Sequence, residues 1–518
     1  MNFSYIDYAI VAVYLVGVVA FGIITSGKQK NSKDYFLGGK EMKWWAVGLS
    51  IVASETSTLT FISIPGLAYK SNMMFLQLVF GYFIGRLLVT VIFIPAYYKG
   101  EIETAYDYIG KRFGMTLRKL TSSVFIITRV LASGVRLFAT AIPVHIITGY
   151  DYPTSIAIIG IFTLIYTYLG GLKAVVSMDV VQMFIYIGGA VISMIIIFQY
   201  LPNGMGDVVK YATMNGQNKF EIFNFGTFTN FTDFFASPYT FLGAILGGTF
   251  LTMASHGTDQ LLVQRLLGCK TKKESQKALM LDASVIVLQF AFFLFLGLCL
   301  HAFYQGVPFK ELIMKSTGLP LGSSDEIFPK FIVENLPVGV AGLVVAGVLA
   351  SAMGTLSSAI SSLASSTYLD LFKPGKKNFD PKKEMFWSKV FTLFWGAVLI
   401  GGAMIFKDSK NPVVELGLSI ASFTYGGLLG TFLLGVFFKK TKQADAMAGF
   451  IAGILVMVFV IYYTKTAYTW YVMIGVIVTI ITANIVSLFT KSKTSPPAPL
   501  HTGCLKTGGL DIPVRQKP

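Results

Sequence analysis

About thirteen stretches of mainly apolar residues, each 18 or more long, follow one another along this chain, at roughly 5–26, 44–69, 74–98, 119–149, 153–170, 175–201, 239–263, 279–303, 333–369, 387–406, 412–438, 444–464 and 467–490. A run of that length crosses the hydrocarbon core of a bilayer as a helix with its own backbone groups paired. The pattern therefore predicts an all-α polytopic membrane protein. Composition agrees: of 518 residues, 54% are hydrophobic and 13% charged, about half the charged share of an ordinary soluble domain. The mean hydropathy of +0.66 leaves no room for a soluble cytosolic enzyme. The first run lacks a basic leader and a small-residue cleavage site, so it is read as a retained span and not as a signal peptide.

The net charge of +16 would point to nucleic acid only if the basic residues shared one soluble face. Instead they sit in short loops between apolar runs. The loops around 27–43, 99–119, 171–174, 264–278, 370–389 and 439–443 hold about 25 Lys and Arg, against about 9 in the alternate set. The positive-inside rule then places the N-terminus outside and the C-terminus inside. Cys269, Cys299 and Cys504 match no zinc or disulfide spacing. The outer loop 202–238 is aromatic and polar; its Asn230-Phe231-Thr232 is a glycosylation sequon that matters only in a secretory-pathway host. The stretch from Thr494 onward, rich in Pro and Gly, is expected to be a disordered cytoplasmic tail, or in part a remnant of cloning.

Polar residues at membrane depth must be paired, hydrogen-bonded or wetted, so they mark function. Four places stand out. Ser54-Glu55-Thr56-Ser57-Thr58-Leu59-Thr60 lies near the middle of the second run, with Pro65 and Gly66 beyond it. Ser and Thr compete for the backbone, so a helix break is expected there, exposing carbonyls and half-helix dipoles suited to a cation and a solute. The alternative is a continuous helix with back-bonded hydroxyls. Second, Ser351-Ala352-Met353-Gly354-Thr355-Leu356-Ser357-Ser358-Ala359-Ile360-Ser361-Ser362 repeats small and hydroxyl residues at helical spacing, which serves either a hard-oxygen cation site or close helix packing. Third, Asp179 is a carboxylate in an apolar span, a cation ligand or an interfacial acid. Fourth, Arg129 and Arg136 lie seven apart on nearly one helix face. Their guanidinium forks suit an anionic substrate or pairing with Glu55 or another internal acid; Arg129 is read as the substrate-proximal one and Arg136 as structural.

Four motifs, DYFLGGKEMKWWAVGLSIVAS, YTYLGGLKAVVSMDVVQ, GTDQLLVQR and AMGTLSSAISSLASSTYLDLF, resemble the sodium/solute symporter family over nearly the whole chain to about residue 490. The resemblance implies a LeuT-type fold: an extra helix and loop at 1–43, inverted five-helix repeats at 44–201 and 239–438 around the outer loop, two more helices at 439–490, and the tail at 491–518. It also implies a first sodium site from Ala53, Thr56, Ser351 and Thr355. A second, found in some members, uses Asp179 with Gly354, Ser357 and Ser358, Gly354 standing where relatives usually carry Ser. For the solute it implies Glu55, Ser57, Thr60, Phe75, Arg129 and Thr252. Compared with the sialic acid members, Glu55 replaces a Thr and Val79 a Gln; Thr252 stands where sugar carriers have Asn. His256 is read as a packed, hydrogen-bonding helix residue.

The expectation is a sodium-coupled symporter of the cell membrane, importing a small polar organic solute such as a sugar, a sugar acid like sialic acid or another carboxylate. One or two Na+ ions would couple it by alternating access, and a monomer would suffice. No nucleophile elbow, P-loop or metal-ligand spacing is present, so no enzyme and no nucleic-acid partner is expected. The rivals are proton coupling through Glu55 or Asp179 in the same fold, and a non-transporting membrane sensor.

Overall fold

The computed structural model describes residues 3–27, 29–226, 230–315, 317–373, 380–405 and 413–490. The tail expected from Thr494 lies outside the described residues. The principal helices are α1 (Tyr5–Thr25), α2 (Trp44–Glu55), α3 (Thr58–Lys70), α4 (Phe75–Tyr98), α5 (Ala105–Phe113), α6 (Met115–Thr148), α7 (Tyr152–Gln199) and α8 (Phe241–Gly257). They continue with α9 (Gln260–Leu267), α10 (Lys272–Phe303), α11 (Val340–Ser366), α12 (Pro381–Ile405), α13 (Val413–Phe437), α14 (Gln443–Tyr463) and α15 (Tyr471–Phe489). Regular structure among the described residues is otherwise confined to short helices of up to 9 residues, such as Ile327–Asn335, and isolated bridges.

By length and apolarity, nine described helices can cross a membrane, or ten if the bent pair α2 and α3 counts as one span. The difference from thirteen apolar runs lies in three elements. Helix α7 is 48 residues long and contains two of the expected runs, joined at Gly171 with φ 57° and ψ −156°. A side chain there would meet Tyr35 O at 2.6 Å, so glycine alone permits both the left-handed turn and the contact. Helix α8 has 17 residues, and the described apolar stretch of α13 is Ser422–Phe437.

Burial ranks the helices by their place in the bundle. In the most apolar window of α11, with its π-helical extension to Phe372, 89% of residues are buried, against 17% for α1. Thus α11 is the central element and α1 a lipid-facing one, as the exposed Val13, Val16 and Ile24 agree. Helix α11 packs chiefly on α7, α8 on α4, and α2 on α10 and α7; α13, α14 and α15 form a side group. Small residues permit these approaches: a side chain at Gly248 would meet Leu78 O at 2.2 Å and one at Gly297 would meet Pro65 O at 2.2 Å. The short amphipathic α5 is tied to the end of α11 by Arg118, which bonds Asp107 at 2.6 Å and Asp370 at 2.9 Å.

Candidate functional site

The site begins with a backbone fault. Between α2 and α3 the axis bends by 59°. Thr56 has φ −75° and ψ 78°, and Ser57 is extended at ψ 173°. Thr56 is thus the centre of an inverse γ-turn closed by Ser57 N donating to Glu55 O at 2.9 Å. Ser57 then caps α3, its Oγ accepting from Leu59 N at 3.3 Å. The turn diverts two amides: Ser57 N no longer closes on Ala53 O, and Thr60 N goes to Ser57 O at 2.9 Å in place of Thr56 O. The Ala53 and Thr56 carbonyls are left without their helical donors inside the membrane, where an unmet polar group is costly. Helix α11 faces them, with Thr355 Oγ donating to Ser54 O at 3.4 Å and Ser351 O at 3.1 Å. Helix α11 thus meets the end of α2 through Thr355, next to the two carbonyls that lack helical donors.

Beside the break lies a cavity of about 90 Å³, room for several water molecules. Glu55, Ser57, Thr60, Phe75, Arg129 and Thr252 all line it, as do Arg136, Tyr82, Asp259, Phe290 and Tyr425. Val79 is fully buried outside this lining. Phe75 stacks on Phe290 with centroids 5.5 Å apart, giving one apolar wall.

The two arginines of α6 differ in their engagement. Arg129 is ion-paired with Asp259 and bonds Tyr425 Oη at 3.0 Å, while Tyr425 donates its hydroxyl proton to the same carboxylate. Asp259 spends its other oxygen on the Leu261 amide at 2.9 Å, capping α9 at a second helix break after α8. Arg136 has no ion pair among the described residues, and its buried Nε lacks a hydrogen-bond partner. The reading from residue spacing, with Arg129 for the solute and Arg136 for structure, is thus matched by the opposite pattern of contacts: Arg136 is the guanidinium left uncommitted at the cavity wall.

Glu55 also belongs to a charged group. Arg86 bonds Glu55 and donates Nε to Asp282 at 2.5 Å, while His256 Nε2 stands 3.6 Å from a carboxylate oxygen of each. Arg86, His256 and Asp282 are wholly buried and Glu55 is 22% exposed. Glu55 therefore meets the cavity with a counter-charge already behind it.

Asp179 is buried, which excludes the interfacial reading. Its Oδ2 takes Ser50 at 2.5 Å, Ser54 at 3.3 Å and Arg265 at 3.0 Å, and Arg265 also donates to Ser358. Its Oδ1 has no partner, and neither does Oε1 of Gln182, one helical turn on. Both converge on Gly354: the ideal Cβ position lies 3.1 Å from Gln182 Oε1, 3.3 Å from Asp179 Oδ1 and 3.8 Å from Ala53 O. The space opened by the missing side chain is bordered by two unpartnered acceptors and a carbonyl. A cation or a water molecule would complement such a cradle. Ser357 and Ser358 donate to Gly354 O at 3.0 and 2.6 Å, which leaves their lone pairs as acceptors.

Residue spacing assigns no role to Arg86, Asp282, Gln182, Asp259, Arg265 or Tyr425. Arg86 and Asp282 carried a usable signal, since each is an ionisable residue inside an apolar run, the criterion that selected Asp179. Gln182 and Tyr425 carried none.

Comparison with known proteins accords with this geometry. Residues 35–453 match the model of the sodium:solute symporter family. Sodium-coupled monocarboxylate transporter 1 of Xenopus laevis is 30% identical over 89% of this chain and 72% of its own length. The sodium/sialic acid symporter SiaT of Proteus mirabilis is 27% identical over 95% of this chain and 97% of its own. Among solved structures, a substrate-bound, outward-open sodium-coupled sialic acid symporter superposes with a TM-score of 0.82 at 26% identity, covering 94% of this chain and 98% of that one. Mhp1, a nucleobase-cation-symport-1 family transporter, shares the fold at 14% identity with a TM-score of 0.53, over 91% of this chain and 97% of its own. The fold is thus of the all-helical, multi-span, LeuT-like kind, and the chain belongs to the sodium:solute symporter family: it is a sodium-coupled solute symporter of a membrane, not an enzyme.

Proposed function

We propose that this symporter imports a small carboxylated, hydroxylated solute, and that the solute carboxylate binds Arg136. The observation that carries this reading is the cavity wall itself. Arg129 is paired with Asp259 and Glu55 with Arg86, so Arg136 is the cation there without an ion pair among the described residues. Ser57 and Thr60 supply hydroxyls and Phe75 the apolar wall. Glu55 faces the cavity paired with Arg86, which it shares with Asp282. The relatives named for monocarboxylates and for sialic acid fit the same class.

Two sodium ions drive uptake in this reading. The first is held by the Ala53, Thr56 and Ser351 carbonyls with the Thr355 hydroxyl. The second occupies the Gly354 cradle, on Asp179 with Gln182 beside it and Ser357 and Ser358 near. Each ion falling through 100 mV supplies about 2.3 kcal/mol, and a tenfold gradient adds about 1.4 kcal/mol. Two ions thus supply about 7.4 kcal/mol, and moving an anion inward against the same potential takes back about 2.3 kcal/mol, which leaves an accumulation of several thousandfold.

The chain crosses the cell membrane with its N-terminus outside and C-terminus inside, in thirteen spans that include α7 as two. Residues 44–201 and 239–438 act as inverted repeats; the observation in favour is that the first helix of each is broken, at Thr56–Ser57 and at Thr258–Asp259. Both breaks border one cavity within one chain, so a monomer suffices. The test is uptake into liposomes under an imposed inward sodium gradient, with propionate, sialic acid, a neutral hexose and proline as labelled solutes. Sodium-driven accumulation of an acid, lost in Arg136→Gln, is the expected result. Accumulation of the hexose or proline alone overturns the anionic reading, and uptake driven by a pH gradient without sodium overturns the coupling.

A further inference from the structure

Three buried ionisable residues, Arg86 on α4, His256 on α8 and Asp282 on α10, have no part in the sodium and solute assignments, yet they close around Glu55 at the cavity wall. Their charges do not balance as neutral histidine. Two carboxylates against one guanidinium leave the group at −1, and an imidazolium brings it to zero. The other counter-charge at hand is Arg136 at the cavity wall, which the solute carboxylate is proposed to occupy.

Ser255 Oγ lies 3.3 Å from Thr252 O and 2.9 Å from His256 Nδ1, and whether the hydroxyl or the ring nitrogen donates in the second contact depends on the ring's tautomer. The other ring nitrogen, Nε2, faces two carboxylate oxygens, each 3.6 Å distant. Nε2 is buried and has no hydrogen-bond partner. An imidazolium offers one proton to the Ser255 hydroxyl and the other to the carboxylates, and its charge strengthens both carboxylate contacts. One ligand atom each from Glu55, His256 and Asp282 lies within 4.8 Å of the other two, as metal ligands would. Arg86 argues against a metal, because it already bonds both carboxylates and would face the ion as a like charge.

We propose that His256 is a proton-binding site of the transport cycle, taking a proton from water in the cavity onto Nε2 and neutralising the charged group that Glu55 presents to the solute. The exposed edge of Glu55 opens the group to the cavity. Every charged side chain facing His256 takes part: Glu55 from α2, Arg86 from α4 and Asp282 from α10. Of the other elements packed on α8, α9 brings Asp259, committed to Arg129, α13 brings Tyr425, the turn Tyr468–Trp470 brings Tyr468, and α15 carries no charged residue. With the proton bound, Arg136 is the uncompensated charge at the wall and an anion is favoured; without it, the −1 opposes that anion.

The chain has 4 histidines, His145, His256, His301 and His501, so 15N-histidine NMR of the full-length protein in nanodiscs reads the ring directly. The expected result is a resonance pair, absent in His256→Gln, with both nitrogens protonated at pH 7. In Asp282→Asn the same ring should lose its proton at least one pH unit lower, a tenfold fall in proton affinity. Should His256→Gln not fold, a variant with the other three histidines replaced leaves His256 as the sole reporter. A singly protonated His256 at pH 7, or one whose titration ignores Asp282→Asn, overturns the proposal. A last arm rests on the anionic-solute reading: sodium-driven uptake should fall at least threefold across the pH at which the NMR shows the proton leaving, and be flat in His256→Gln. Wild-type uptake flat across that pH overturns the transport role, while the NMR arm needs no solute and stands or falls apart from that reading.

Discussion

Two arginines on one helix face, seven residues apart, meet different chemistry because of what other helices bring to them. Arg129 finds Asp259 and Tyr425, both buried. Removing one partner of a buried ion pair costs about 3–5 kcal/mol, so Arg129→Gln should lower the unfolding midpoint in detergent sharply. Arg136→Gln should leave that midpoint nearly unchanged and raise the half-saturating solute concentration at least about tenfold, the equivalent of about 1.4 kcal/mol. Thermal unfolding and uptake measured on both variants separate the roles. The Gly354 cradle gives a further test. Gly354→Ala places a methyl group against Asp179 Oδ1 and Gln182 Oε1, filling the space with nothing that can donate. The half-saturating sodium concentration should rise about tenfold, and Thr355→Ala should raise it through the other site; an unchanged sodium dependence in either variant removes that site. Outside the membrane, Lys219 donates to Tyr69 O at 2.7 Å and Ser71 O at 3.0 Å, and burial brings its pKa down from 10.5 to about 8. The unfolded chain then binds the extra proton between pH 8 and 10.5, so this residue's contribution to stability rises with pH across that window. Lys219→Met should remove that slope from the pH dependence of unfolding.

At the level of elements, the informative features are interruptions. A polar block in an apolar run reads as a break, and the structure has one, made by a γ-turn at Thr56 and a cap by Ser57. The second break, at Thr258–Asp259, was not legible in the same way, since it is carried by a single aspartate whose meaning depends on Arg129 from another helix. The turn at Gly171 shows another case, in which the two expected spans meet end to end at one non-helical residue with no loop between them. Gly171→Ala forces a side chain to 2.6 Å from Tyr35 O at a left-handed backbone position. The expected loss is about 1–3 kcal/mol, read as a lower unfolding midpoint; an unaltered midpoint would show that the corner relaxes freely.

For the whole molecule, the alternation of basic loops sets an orientation that can be checked without any solute. With the native cysteines replaced, Lys210→Cys should react with a membrane-impermeant maleimide on intact cells, whereas Lys383→Cys should react only after permeabilisation. The reverse pattern would invert the assigned topology. What the sequence determined by itself is what depends on local chemistry and solvent: long apolar runs must become spanning helices, charge between them sets their direction, and a hydroxyl-rich interruption weakens one helix. Motif resemblance carried it as far as the family and a set of oxygen-bearing residues. Only the tertiary structure decided which charge cancels which. Ion pairing depends on atoms a few ångströms apart that lie 31 to 196 residues apart along the chain, as Arg86 does from Glu55 and Asp282. No periodicity encodes that distance, so the uncommitted guanidinium of Arg136, the cradle at Gly354 and the histidine between two carboxylates became visible only when the helices were packed.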